Sequence, residues 1–589
     1  MPYKSNKTWS RVWLRTAAAV AVLSAAGWVQ PGWTQESNTN TPPTPASASQ
    51  SGSGKITTVV MEGLPPSAKV SISDGQLKNA GEDKQNWLLH GRTYGNDRYS
   101  PLKQISVDNI SSLMPAALVQ TGMAAAFEVT PIVADGVMYI TTPIVDSQMK
   151  IMALNAATGA HLWEATYKVG VQKLCCGPVN RGVAIGYGQV FVVTEDDEVI
   201  ALDAKTGTTV WETQIIDPRA GYSESMTPQL YDGMLIVGSS GAEYAIRGFV
   251  AAYDAKTGKQ IWRWQATDPN TFAGESWKTG GGTIWNTPAI DPARGLVIFA
   301  VGNPNPDLNG ESRKGDNLYT DSIVALHIKT GKLAWYYQEV KHDLWDLDAV
   351  SNVVLFDAKD AEGKTVPAAG EAGKVGYFFI VNRDNGKLIR KAGPFVTINM
   401  KTFGVPPTKD GLVFQPGPGG GSEWSPPAYS PDTHDVYVLG ANQAFKLTTS
   451  EPSPIPGLKR WGSTLKPVDV ANKSGTITAI NVDTGKIDWQ VRTPQPMVSG
   501  VLATAGNLVF TGENNGWFDG FDAKTGKRVW RFQLGAGVNA PPVTYEVNGQ
   551  QYVAVAAGGN FLQHSQTGDT LAIFKLSSAG LLKTDPPAH

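Results

Sequence analysis

One recurring motif limits the possible folds of this chain more than any other feature. It is a short apolar run, an Asp-x-x-Thr-Gly turn (with Asn155, His327 and Asn481 in place of the Asp in three copies) and a tryptophan: "IMALNAATGAHLW" (151–163), "VIALDAKTGTTVW" (199–211), "VAAYDAKTGKQIW" (250–262), "IVALHIKTGKLAW" (323–335), "ITAINVDTGKIDW" (477–489) and "GWFDGFDAKTGKRVW" (516–530). A copy without the tryptophan, "YFFIVNRDNGKLI", spans 377–389, and "DVYVLGANQAFKLTT" (435–449) reads as a further unit. The alternating run predicts a strand. The Asp side chain bonds the backbone ahead of it and the Gly takes positive φ, so a tight turn leads into a second strand. Upstream runs such as "GQVFVV", "GMLIVG" and "GNLVFTG" supply more strands. Four short strands per repeat of roughly 40–50 residues is the plan of a propeller blade. The repeats therefore predict an all-β protein, an eight-bladed β-propeller whose tryptophans dock between blades. No helical apolar period recurs, which excludes a helical solenoid. The intervals 263–322 and 390–476 are too long for hairpin turns. They are expected to be loops gathered on one face, where function sits.

The ends of the chain read differently. Lys4, Lys7, Arg11 and Arg15 precede the apolar stretch "TAAAVAVLSAAGWV". This pattern predicts an export signal over 1–34, with an uncleaved anchor as the alternative. Residues 35–69 are expected to be a linker, polar and Pro/Ser-rich over 35–54, and the propeller domain to fill 70–589. Export implies a periplasmic, oxidising setting and no transmembrane domain in the mature protein. With 50 basic and 52 acidic side chains, a net charge of −2, nothing favours a nucleic-acid partner.

The segment "KLCCGPVNRG" (173–182) holds both cysteines of the chain, side by side. Adjacent Cα atoms sit about 3.8 Å apart, short of the usual disulfide range of roughly 4.4–6.8 Å. A bond between Cys175 and Cys176 would close almost no loop and add little cross-linking entropy. It would have to do something other than staple the fold. Two free thiols packed as small apolar groups are the alternative.

From about residue 70 to 575 the chain resembles the pyrroloquinoline quinone (PQQ)-dependent alcohol dehydrogenases of bacterial periplasms. The segments that carry the resemblance are "NWLLHGRTYGNDRYSPLKQI" (86–105), "LCCGPVNRGVA" (174–184), "GSSGAEYAIRGFVAAYDAKTG" (238–258), "GGGTIWNTPAIDP" (280–292), "VGNPNPD" (301–307) and "HDLWDLD" (342–348). The resemblance implies eight blades, PQQ as cofactor, one metal ion and an alcohol substrate. It also implies that Cys175 and Cys176 form a disulfide ring against one face of the quinone, with Trp285 on the other. An indole suits a planar ring.

By the same resemblance, Glu243, Asn303 and Asp346 hold the metal through oxygen, as hard cations require. Asp346 is also the implied catalytic base, taking the proton of the alcohol hydroxyl. A carboxylate beside a cation is expected to stay ionised. Arg181 and Lys374 pair with quinone oxygens. Glu128, Ser225, Thr227, Ser240, Gly241, Ala242 and Thr283 match positions that hold the cofactor's carboxylates and edges. Asp348 lies two residues after Asp346, so an extended segment would point both the same way. In alcohol-oxidising members an Asp at this offset marks a lanthanide site. Sugar-oxidising relatives carry a similar pair, so Ca²⁺ stays open. His342 is expected beside the metal site rather than on the ion, since hard ions disfavour imidazole.

Some positions depart from the family pattern. Glu423 stands where an Asn usually touches the cofactor, and Phe561 stands in the region of a substrate-pocket Trp in methanol oxidisers. These changes predict a substrate pocket unlike that of a dedicated methanol enzyme. A sugar or polyol dehydrogenase, and a non-catalytic envelope scaffold, are the competing readings. No Cys-x-x-Cys-His occurs, so no covalent c-type haem is expected and electrons must leave to a separate acceptor, which the resemblance implies is a cytochrome c. A homodimer is left open.

Overall fold

The computed structural model describes residues 55–577, except 171–173, 175, 454, 456 and 469. The expected signal segment lies outside the described residues, as do Cys175 and most of the expected linker. Among the described residues no helix is long and apolar enough to cross a membrane.

Eight sheets share one plan, a four-stranded antiparallel meander. Seven are contiguous in sequence, at 132–168, 184–214, 229–265, 289–338, 354–392, 428–493 and 502–533. They are numbered here as blades one to seven. In blade two the second and third strands, Gln189–Val193 and Glu198–Asp203, are buried almost throughout. The fourth, Thr209–Gln214, is half exposed, so it lies at the rim. Burial on both faces explains why the inner strands are continuous apolar runs.

The turns form as the motif predicts. The Asp203 carboxylate accepts from the backbone N–H of Lys205 and of Thr206, both at 2.9 Å, and from the Thr206 hydroxyl. Each motif tryptophan then crosses to the next blade. Trp163 Nε1 donates to Ala204 O at 3.1 Å, Trp211 to Ala255 O at 3.2 Å, and Trp262 to Ile328 O at 2.8 Å. Trp335, Trp489 and Trp530 donate likewise to Arg383 O, Ala523 O and Leu113 O. The turn glycine of the next blade is the seat for the ring: a Cβ on Gly207, at φ +70°, would lie 2.5 Å from the Trp163 indole. Where the degenerate copy lacks its tryptophan, Arg390 takes the place, and its chain packs on Gly485.

Three features differ from the sequence reading. The segment 435–449 is not a unit of its own. Its first half, Asp435–Asn442, is the second strand of blade six, and Ala444–Thr449 leaves for another sheet. The eighth blade comes instead from the two ends of the chain, where Leu113–Ala125 pairs with Gly568–Leu576 beside Val543–Val547 and Gln550–Ala557. Tyr545 closes this last seam by donating to Ala156 O at 2.6 Å. The interval 390–476 is not loop alone, because Leu412–Phe414, Ala444–Thr449 and Ser463–Val468 form a three-stranded sheet. Finally, the expected linker over 35–69 ends earlier. Ile56–Val60 pairs with His161–Lys168 at the edge of blade one, because "ITTVV" is β-branched and can extend an open sheet.

Candidate functional site

A cavity of about 250 Å³ gathers most of the expected site residues. Glu128, Cys176, Arg181, Ser225, Ser240, Gly241, Glu243, Thr283, Trp285, Asn303, Asp346, Asp348, Lys374 and Glu423 all line it. They come from loops after many different strands, which the ring brings together. Thr227 and Ala242 do not line it. Thr227 instead donates its hydroxyl to Arg181 O at 2.7 Å, fixing the backbone that carries the guanidinium. Ala242 is buried in the single 3₁₀ turn that carries Glu243. Cys176 is part of a disulfide.

At one part of the wall, Arg181 donates from Nη2 to Glu128 at 3.0 Å and from Nη1 to Ser225 Oγ at 3.0 Å. Its guanidinium lies 4.5 Å from the Trp424 ring centre and 5.2 Å from that of Trp285. Asn560 Nδ2 adds a 2.7 Å bond to Glu128. Burial pushes the Glu128 carboxyl up, against the pull of Arg181.

At another part, the Lys374 ammonium stands between two carboxylates, 2.9 Å from Asp346 and 2.7 Å from Asp348. Desolvation pulls this ammonium down, but Asp346, Asp348 and Glu423 outweigh it and hold Lys374 well above the ordinary lysine range. The second Asp348 oxygen accepts from the Asn303 backbone N–H. The Asn303 side-chain amide donates to Pro304 O at 3.2 Å, and its oxygen accepts no hydrogen bond among the described residues.

The two aspartates reach one place by a route other than the extended segment expected. Asp346 has φ 62°, a left-handed kink, and the stretch is not a strand. The Asp346 carboxyl lies between Lys374 and the rest of this acidic wall. Burial first, and then Asp348, push its carboxyl well above the usual range, while Lys374 opposes them. Burial likewise raises Glu423 to about 7, against Lys374.

Among the described residues no three Asp, Glu, His or Cys side chains converge to hold a metal. Lys374 already pairs with both carboxylates. The donor set is nonetheless all oxygen, from Glu243, Asn303, Asp346 and Asp348, and fits a hard cation in chemistry. Such an ion would compete with the ammonium for the same carboxylates. His342 stands apart from the cavity, with Nδ1 2.9 Å from Gly315 O and 3.1 Å from Asn317 Oδ1.

The sequence of this chain matches the family described as "Glucose/ethanol/alcohol dehydrogenase, beta-propeller domain", of the PQQ type, over residues 87–392 and 458–553. The chain belongs to the PQQ-dependent quinoprotein alcohol dehydrogenases. It is 37% identical over 511 residues to quinohemoprotein alcohol dehydrogenase ADH IIB of Pseudomonas putida, covering 80% of this chain and 73% of that protein. It is 35% identical to the quinoprotein ethanol dehydrogenase of Pseudomonas aeruginosa, covering 80% and 85%. Among solved structures, a europium-containing methanol dehydrogenase superposes with a TM-score of 0.79 at 29% identity, covering 85% of this chain and all of that one.

This quinoprotein also lines its cavity with residues that the motifs did not single out: Glu195, Ser223, Trp424 and Asn560, beside an apolar set of Leu174, Phe445, Trp461, Leu465 and Leu562. Phe445 and Leu465 come from the inserted three-stranded sheet. Trp424 follows Glu423 directly, so an aromatic beside a suspected cofactor contact was the available signal. Phe561, expected near the substrate, does not line the cavity and is about half exposed. Its side chain packs on Gly177, beside Cys176.

Proposed function

We propose that this protein oxidises primary alcohols to aldehydes in the periplasm, using PQQ and one metal ion, and passes electrons to a separate cytochrome c. The single observation that carries the reading is the convergence of Trp285, Cys176, Arg181 and four oxygen-donor residues on one cavity. When bound there, PQQ supplies a two-electron acceptor whose carbonyl the metal polarises. Glu243, Asn303, Asp346 and Asp348 would hold the metal. Asp346 takes the proton of the substrate hydroxyl, which requires it to enter the reaction ionised. A metal's charge beside it would work in that direction, against the effect of burial. Arg181 and Lys374 would offset negative charge on the quinone oxygens, and a Cys175–Cys176 ring and Trp285 would flank the quinone.

Asp348 adds a carboxylate to the donor set, which favours a trivalent lanthanide over Ca²⁺ on charge. The apolar stretch contributed by Phe445, Trp461 and Leu465 favours an alcohol with a hydrocarbon chain over a sugar. Sugar hydroxyls would lose hydrogen bonds to water there without replacement. The test is reconstitution of the purified protein with PQQ and either Ca²⁺ or La³⁺, followed by dye reduction with ethanol, longer alcohols and glucose. Turnover with alcohols, larger with La³⁺, is expected, and Asp348→Ala should remove the La³⁺ advantage. Turnover with glucose alone would favour the sugar reading, and no turnover with any substrate would favour a scaffold.

A further inference from the structure

Blade two carries an acidic turn, "TEDDE" (194–198), between its second and third strands. Two of its four acids are tied down, while both oxygens of Asp197 lack a hydrogen-bond partner among the described residues. Asp196 accepts from the Tyr167 hydroxyl at 2.9 Å and from the Gly170 N–H at 2.7 Å, and Glu198 pairs with Lys55 at 2.6 Å. Glu195 differs from the other three in lining the cavity. It is 1% exposed and lines the cavity beside Arg181, Ser223 and Ser225. Neither of its carboxyl oxygens has a hydrogen-bond partner among the described residues. The Glu195 backbone N–H and the Asn180 amide favour the ionised form, less than burial opposes it, and Asn180 Nδ2 donates to Val193 O at 2.8 Å.

A buried carboxylate without donors is strongly disfavoured, and the group takes a proton instead. The charges around it are mixed. Arg181 favours the ionised form, but its two Nη atoms are already engaged with Glu128 and Ser225. Asp196 opposes ionisation, and Glu195 in turn raises Glu224, whose own oxygens are also unpartnered. Burial dominates, and the Glu195 carboxyl is held well above its ordinary range. A neutral carboxylic acid has one O–H to donate. The quinone proposed for this cavity is a polycarboxylate, rich in acceptors.

We propose that Glu195 is a further cofactor-binding residue that, as a neutral carboxylic acid, donates a hydrogen bond to a carboxylate of the bound quinone. This rests on the cofactor reading above. An ionised glutamate would repel the same group, so the role belongs to the protonated form alone.

Binding of PQQ to the apoprotein, followed by quenching of tryptophan fluorescence, tests it without turnover. Glu195→Gln keeps a donor of similar shape and should bind PQQ within about threefold of wild type. Glu195→Ala removes the donor and should bind about tenfold more weakly, as expected for one hydrogen bond to a charged group. In infrared difference spectra, PQQ binding should shift the carbonyl stretch of a protonated carboxylic acid in wild type, and Glu195→Gln should lack that band. Should Glu195→Ala fail to fold, the Gln variant and the infrared band decide the matter. Wild-type affinity in Glu195→Ala, or an unaltered band in Glu195→Gln, overturns the proposal and leaves the cofactor reading standing. Failure of wild type to bind PQQ at all removes both.

Discussion

At the seam between blades two and three, the Trp211 indole is buried and its N–H meets Ala255 O at 3.2 Å. In the cavity, Glu195 is more deeply buried and its carboxyl oxygens have no hydrogen-bond partner among the described residues. The seams bury large apolar rings whose single polar atom is satisfied, which is how a core is stabilised. The cavity concentrates carboxyls whose protonation is shifted by burial and by one another: Glu128, Glu195, Asp346 and Glu423 are all raised. Such groups lower stability and are kept where they do chemistry. The ring holds the cavity residues in place against their own electrostatic preference.

Removing the carboxylate at the centre should have the largest effect. Asp346→Ala is expected to reduce turnover of the reconstituted enzyme by about 10³-fold or more, within the range for loss of a general base. Its melting temperature should stay level or rise, since a disfavoured buried carboxyl is removed. A marked fall in stability with activity retained would reverse the contrast between cavity and seam.

The seam should behave oppositely. Trp262→Ala removes a ring buried between blades three and four and its bond to Ile328 O. It is expected to destabilise the protein by about 3–5 kcal/mol in denaturant unfolding. The fraction that remains folded should keep near-normal kcat.

A smaller effect separates the two regions by pH. Asp519, in blade seven, is pushed up to about 8 by burial and by its hydrogen bond with Glu513, against Arg528 and Arg531. In the unfolded chain an Asp titrates near 3.9. The folded state therefore binds the extra proton between these values. The stability this contributes is present at low pH and is lost as pH rises through about 8. Asp519→Asn cannot titrate, so the melting temperature of the apoprotein should fall less between pH 6 and 9 than in wild type. Identical slopes would mean that Asp519 is ionised throughout.

The smallest effect concerns the one degenerate seam. Arg390 stands where other blades place tryptophan, and Gly485 leaves room for a ring. Arg390→Trp should stabilise the protein by about 1 kcal/mol through added apolar contact and a bond to the Val482 carbonyl. No gain would show that the Arg390 bond to Lys359 O at 3.2 Å already fills that role.

The blades were readable because their cause is local. Alternation and an Asp-x-x-Thr-Gly turn act within about 15 residues, and six of the motif copies fall on the third and fourth strands of blades one to four, six and seven. Blade eight was not readable. It pairs residues such as Gln120 and Thr570, 450 positions apart, and neither strand carries the motif. The segment 435–449 misled because a strand and its continuation read as one unit, while the chain changes sheet at Gln443. At the site, residue types were readable through their motifs, from Cys176 and Arg181 to Asp346 and Asp348. Glu195 was hidden in a turn whose acids look solvated.

The amino-acid order alone determined the repeating blade and the tryptophan seams, because each arises from a few neighbouring residues, and the oxygen donor set followed from the resemblance of its motifs to the family. Only the closed ring decided which acids lose water, which stand beside Lys374 or Arg181, and which are left to hold a proton. Desolvation depends on everything packed around a side chain, and no local pattern encodes that.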